Sequence, residues 1–424
     1  MSNDFTKEEK VLWEDYGAAF EDALSMTNKV SKLTVSSASL ERAGDVVWEP
    51  QPYIALSYDG MDQTGNFQSM TQLAVPATLG FEKVVPWIMN AREARDAVQN
   101  KTFGETARNR IASDINRAVL DVACNQGSLV VPVATAAGDY DDIALCDSMM
   151  NEQGIPMLDR YLCLSSRDYN GMASNLAVAT RSFGNKKSEQ AYEKGYVGEV
   201  ANFMTSKMDY ANRIAAAGGG AGLTIDNRTS AVNYHTPKAK QAATTGERSN
   251  YDNRFQTITI SSTASVAAGD AFTVAGIYAV HHETKQSTGE LKTFRVISVP
   301  NSTTLVITPA IVSGQGGTDA ELQYKNCVVS TESATAAIVF LNTTAANINP
   351  FWYKDSICLV PGHYQVEAGS GVGVLKATTI QGIEIVMTKF FNNKTYKYEY
   401  RLDALYGVVN KAPEMSGILI FGQV

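Results

Sequence analysis

The sharpest alternation of apolar and polar positions lies between Tyr251 and Pro309. Thr257-Ile-Thr-Ile260, Phe294-Arg-Val-Ile297 and Leu305-Val-Ile-Thr308 are short runs rich in β-branched residues, separated by Gly, Ser and Asn turns. They predict an all-β module. The flanks have a different texture. Residues 105–126 carry Ile111, Ile115, Ala118, Val119, Val122 and Ala123 at helical spacing, with Arg110, Asp114, Arg117 and Asp121 alternating in sign on the other side. Gly127 is placed to stop that helix. A strand is predicted over 128–134, a helix over 141–153, a short strand at 161–164 and a helix over 166–179. Downstream, strands are predicted at 357–360, 383–387 and 396–402. In the last, Tyr396, Tyr398, Tyr400 and Leu402 alternate with Lys397, Glu399 and Arg401. Gly218-Gly-Gly-Ala-Gly222 marks a boundary. A mixed host is therefore interrupted near 223 by the β module and resumes near 346.

Two segments before this host are distinctive. Residues 6–27 predict an amphipathic helix with Leu12, Tyr16, Ala19, Phe20 and Ala23 on one face, opened by a Thr6/Glu9 capping box. Its other face is acidic, with Glu8, Glu9, Glu14, Asp15, Glu21 and Asp22 against Lys7 and Lys10. It reads either as a solvated surface or as a docking face for a basic partner. From Val47 to Val85 the chain predicts an extended arm punctuated by Pro50, Pro52, Gly60, Gly65, Pro76 and Gly80, with no Lys or Arg from residue 50 to 82. A connection that long without helix suits a functional loop or one that reaches another chain.

Composition narrows the classes. The chain has 424 residues, which implies two or three domains, and a net charge of −8, opposite in sign to a dedicated nucleic-acid binder. No apolar run approaches the roughly 20 residues of a membrane span. The first ten residues show no signal-peptide pattern. Five cysteines without CxxC spacing read as free buried thiols.

Catalytic motifs are missing: there is no HExxH, GxSxG or P-loop. His281 and His282, read as strand neighbours, would point to opposite faces and could not share a metal. Gly369-Ser-Gly371-Val-Gly373 reads as a turn between strands, and Asp141-Asp142 as helix-start caps. No cofactor or metal is expected. An alternative reading, a cytoplasmic α/β enzyme with an accessory β-barrel, would need a clustered polar site.

The order of parts resembles the major capsid proteins of tailed bacteriophages, the Hong Kong ninety-seven-type fold. It is most similar to the coat proteins of short-tailed Salmonella phages, which carry an inserted domain. The resemblance runs collinearly through Ala191-Tyr192 with Gly195, Val200-Ala-Asn-Phe203, Asp252-Asn-Arg-Phe255, Ala268–Gly276, Phe294-Arg-Val-Ile297, Leu305-Val-Ile-Thr-Pro309, Phe351-Trp352, Ile357–Val360 and Leu405-Tyr-Gly407.

The resemblance implies an α+β protein. It would have an N-terminal arm (1–46), an extended loop (47–85), a peripheral domain with a spine helix (86–127), an axial domain begun at 128–222, an inserted β-barrel (223–345), and a return through axial and peripheral parts (346–424). It implies self-assembly as pentamers and hexamers into an icosahedral shell that encloses double-stranded DNA without sequence-specific binding. Assembly would take place in the host cytoplasm, without a membrane. The implied partners are a scaffolding protein, a portal and a decoration protein. Glu14 and Asp15 fall where relatives receive a basic scaffold helix. The polar loop of the insert, roughly 235–254, offers Lys238, Lys240, Glu247, Arg248 and Asp252 for contacts between subunits. The arm has no lysine between Pro50 and Glu82, so the covalent cross-link of some relatives is not expected. The resemblance begins almost at the N-terminus, where some relatives carry a long cleaved scaffolding segment, so it implies a separate scaffolding protein.

Overall fold

A computed structural model describes the chain except for residues 1–4, 6, 34–45, 53, 68–69, 94–96, 139, 178–189, 192, 211, 219–221, 227–233, 239–240, 243–247, 250, 316, 331–334, 367–370, 381 and 424. Two compact units emerge. One comprises Met1–Val47, Pro76–Asp121 and Ile357–Val409; the other comprises Trp48–Val75, Val122–Ser356 and Asn410–Val424.

The first unit is a six-stranded sheet with helices. In spatial order its strands are Ser31–Lys32, Ile357–Pro361, Lys397–Asn410, Glu384–Asn392 and Gly373–Thr378, with Phe81–Asn90 also paired to Lys397–Asn410. That last pairing is antiparallel and continuous from Lys397↔Asn90 to Tyr406↔Phe81. It stacks Trp87 on Tyr400 and Phe81 on Tyr406, each pair 5.4 Å between centroids. Helix α1, Lys7–Ala23, buries Trp13 and Phe20. Gly17 faces Ala377 of the edge strand, where small side chains let the elements approach. Helix α2, Ala97–Gln126, begins earlier than its apolar periodicity predicts. Its Asn116 accepts the Met26 N–H and donates to the Ala23 carbonyl, fastening the chain that leaves α1. Tyr396 corrects one expectation: it sits exposed in the turn before the strand, at φ 55°.

The second unit contains a six-stranded sheet in the order Leu129–Val133, Ser416–Phe421, Asn349–Tyr353, Arg160–Leu164, Phe203–Lys207, Glu199–Val200. Strands from before and after the insert are interleaved: Arg160–Leu164 pairs directly with Asn349–Tyr353. The insert therefore interrupts one sheet rather than joining two domains. Central strands such as Arg160–Leu164 and Ser416–Phe421 are buried at every position, and so, after a polar first residue, read as apolar runs. Helices α3 (Tyr140–Glu152) and α4 (Ser166–Ala177) pack Ile143, Cys146, Met150, Met172 and Ala173 into the same core as Leu162 and Phe351. Asp142, inside α3, accepts the Gly138 N–H from the turn before the helix. Gly127, just beyond α2, has no room for a side chain: a Cβ there would lie 2.8 Å from the Gly417 nitrogen.

The insert is a nearly closed barrel. Its strands run Thr224–Asp226, Thr335–Phe340, Ala271–Val280, Ser287–Ser298, Thr304–Thr308, Gln256–Thr259, and an Ile225↔Ile260 bridge joins the ends. Ile258, Phe272, Val274, Phe294, Val296, Leu305, Ile307 and Ile338 fill it. One short helix, α5 (Asp319–Gln323), is capped by Thr318. All five cysteines are buried and none forms a disulfide.

Candidate assembly surfaces

Helix α1 divides its acidic residues between two environments. Glu9 receives the Lys389 ammonium at 2.8 Å and the Tyr400 hydroxyl at 3.1 Å, while the rings of Phe5, Tyr398 and Tyr400 surround the cation. Glu21 accepts the Ile380 N–H. These carboxylates hold the helix to its own sheet. Glu14 and Asp22 are exposed. The side chain of Asp15 lies outside the described ones, as does Thr6, the expected cap.

The extended loop has a tied root and a bare tip. At the root, Val46–Pro50 pairs with Ala74–Thr78. Glu49 meets Lys411 at 3.0 Å, and the Gln51 side chain donates to the Lys411 carbonyl. Across the loop, the Thr71 N–H donates to Gln323 Oε1 and the Thr71 carbonyl accepts from Gln323 Nε2, both at 3.0 Å. The Tyr324 hydroxyl donates to the same carbonyl at 2.9 Å and accepts from the Leu73 N–H at 3.4 Å. Between these fastenings, described residues 54–70 form no helix or strand, and they expose Met61 completely (104%) and Phe67 nearly so (88%). Exposed Tyr58 and Met70 flank them.

On the insert, Lys238 is exposed, with its ammonium 5.4 Å from the Tyr251 ring centroid. Asp252 is engaged within the chain, pairing with Arg254 at 2.6 Å, and Arg254 also donates to the Asn410 carbonyl. Arg248 belongs to a two-residue strand paired with Gln241–Ala242, and its side chain is not among those described. Lys240 and Glu247 lie outside the described residues. Asn253 organises the base of this loop: it accepts the Lys238 N–H, donates to the Lys238 and Tyr251 carbonyls, and meets His235 Nε2 at 2.9 Å. Beside it is an open groove of about 400 Å³ lined by Tyr234, His235, Lys238, Tyr251 and Phe255.

The insert is seated on its host by bonds that no local pattern announces. Lys292 pairs with Glu414 at 2.6 Å, Thr293 donates to the Ser128 carbonyl, and His282 N–H donates to the Gln153 carbonyl. Burial alone would push the Glu414 carboxyl up; Lys292, with His282 and Lys285, brings it below its ordinary value. Burial lowers His282 and brings Lys285 down to about 8. His281 and His282 occupy a turn, correcting the strand assigned to them; the His281 ring covers Gly154. Gln323, Tyr324 and Glu414 carry no motif, because their partners lie far away in sequence.

Among the described residues, no three His, Cys, Asp or Glu side chains gather as metal ligands, and no helix is long and apolar enough to cross a membrane. The sequence matches the family described as P22 coat protein, gene protein 5, over residues 1–422. The chain belongs to this coat-protein family. Its members are shell proteins, so the chain is a self-assembling capsid protein of a virion and not an enzyme. The coat protein is also similar to solved structures. The CUS-3 coat protein I-domain is 34% identical and covers 30% of this chain and 99% of its own, at TM-score 0.22. A structure from Mycobacterium phage Che8 is 9% identical over 94% of this chain and 90% of its own, at TM-score 0.45. The capsid of Cyanophage P-SCSP1u is 12% identical over 93% and 86%, also at 0.45.

Proposed function

We propose that this coat protein tiles its shell through the tip of the extended loop, which lies on a neighbouring copy. The observation that carries this is the pairing of a fastened root with a bare apolar tip. Leaving Met61 and Phe67 in water forgoes the favourable burial of large side chains, about 1.5–3 kcal/mol each. A surface repeated in every subunit recovers that energy at every contact. In this reading 47–85 is the reaching loop, 86–127 the peripheral part, 128–222 with 346–424 the axial part, and 223–345 an insert whose polar loop meets another subunit. The acidic charge of the chain suits a container for DNA, because tight phosphate contacts would oppose packaging and release.

The test is Met61→Asp combined with Phe67→Asp. The monomer is expected to keep its circular dichroism, while electron microscopy after co-expression with a scaffolding protein shows no shells. Shells at the normal yield would overturn the assignment. Exposed Glu14, with Asp15 beside it, supports a docking site for a basic scaffold segment. Glu14→Lys with Asp15→Lys should slow scaffold-dependent assembly and leave the monomer folded; unchanged assembly kinetics would remove that role.

A further inference from the structure

Gln323 offers the Thr71 backbone one acceptor and one donor, as a neighbouring strand would. The Tyr324 hydroxyl has one proton, given to the Thr71 carbonyl, and its lone pair takes the Leu73 N–H. Two adjacent side chains thus replace the missing partner strand over Thr71–Leu73.

The other end of this short helix is tied elsewhere. Glu321, two residues before Gln323, is 5% exposed and accepts the Thr236 hydroxyl at 2.6 Å. Thr236 follows His235, whose ring meets Asn253 and stacks on Tyr251. Asn253 in turn holds Lys238 by both its N–H and its carbonyl. A continuous series of hydrogen bonds and short chain segments therefore runs from the base of the insert's polar loop, through Asn253, His235, Thr236 and Glu321, to α5 and the backbone of the extended loop.

We propose that this series is a relay, by which the arrangement of Lys238 and Asn253 at the base of the insert's polar loop sets how firmly the extended loop is held. The proposal rests on the reading that both loops meet neighbouring subunits. Coupling of binding free energies is reciprocal: if seating the insert's polar loop on a neighbour tightens the hold on the extended loop, seating the extended loop tightens the polar loop by the same factor. A subunit that has made one contact would then be better prepared for the second.

Hydrogen–deuterium exchange on the unassembled full-length chain tests this directly, because the Thr71 and Leu73 amides are the clasped groups. Gln323→Ala is expected to speed exchange at Thr71 about tenfold, the effect of losing one modest hydrogen bond. Asn253→Ala acts at the far end of the relay and should speed it about threefold, while the barrel amides of Phe272–Val274 stay protected. If Asn253→Ala loosens the barrel itself, Thr236→Val makes the same test with a smaller change. Faster exchange at Thr71 in Gln323→Ala but not in the distant variant would leave a clasp without a relay and overturn the proposal. No change in Gln323→Ala would overturn the clasp too. Exchange is read without assembly, so either result is independent of whether Met61 and Phe67 are interface anchors.

Discussion

Two arginines in the second unit are both fully buried, at 0% exposure, yet their surroundings differ sharply. Arg160 opens a strand of the host sheet and spends its whole guanidinium. Its Nε donates to the Pro156 carbonyl at 2.8 Å, Nη1 meets Asp147 at 2.5 Å, and Nη2 donates to Asn151 and to the Ile155 carbonyl. Arg295, on the barrel, has its Nε on the Gly269 carbonyl at 3.0 Å, and neither Nη nitrogen finds an acceptor among the described residues. Burial brings it down to about 10, against the opposing pull of Cys124 and Asp270. The contrast shows that burial alone says little about what a charge contributes. Arg160 organises the turn between α3 and the next strand, whereas Arg295 pays for desolvation with little return.

The largest effect should come from Arg160→Ala. It leaves Asp147 without its cation and frees two carbonyls, and breaking a buried pair of this kind costs about 3–5 kcal/mol. Urea unfolding of the monomer measures it, and a cost below 1 kcal/mol would erase the distinction. Arg295→Met keeps much of the volume and removes an undercompensated charge, so the same measurement should show a gain of about 1 kcal/mol. A large loss would mean that the guanidinium has partners that offset its desolvation.

Lys285 is an intermediate case, for which a weaker effect is expected. Lys285 is only partly buried, and its folded value of about 8 lies below the ordinary lysine value of 10.5. Between these limits the unfolded chain holds a proton that the folded chain has released. Stability therefore rises with pH across that window, provided other titrations are subtracted. Lys285→Met should flatten this part of the stability profile relative to the parent; identical slopes would remove Lys285 as its source.

The barrel is legible because its strands alternate locally: the predicted runs at 257–260 and 305–308 match observed strands within one residue, and 294–297 is the end of the longer strand Ser287–Ser298. The host sheet was harder, since its central strands are apolar on both faces and period tells little. Thr102 and Gly104 weaken the helical signal before residue 105, so the apolar periodicity starts later than α2 does. In the fold, Gly104 lines a small apolar cavity with Trp13 and Trp87, and packing outweighs propensity there. The acidic face of α1 is divided in the fold, because Glu9 turns inward to a lysine 380 residues away. Arg160, Gln323 and Tyr324 are silent in the sequence for the same reason: backbone carbonyls and distant amides leave no mark on a residue's sequence neighbours.

The burial of all five thiols has a practical corollary. A cysteine substituted for Met61 would be the most reactive sulfur in the folded chain, so an environment-sensitive dye could be attached there without first removing the native ones. Its emission would then track, in real time, the passage of each tip from solvent into the growing wall.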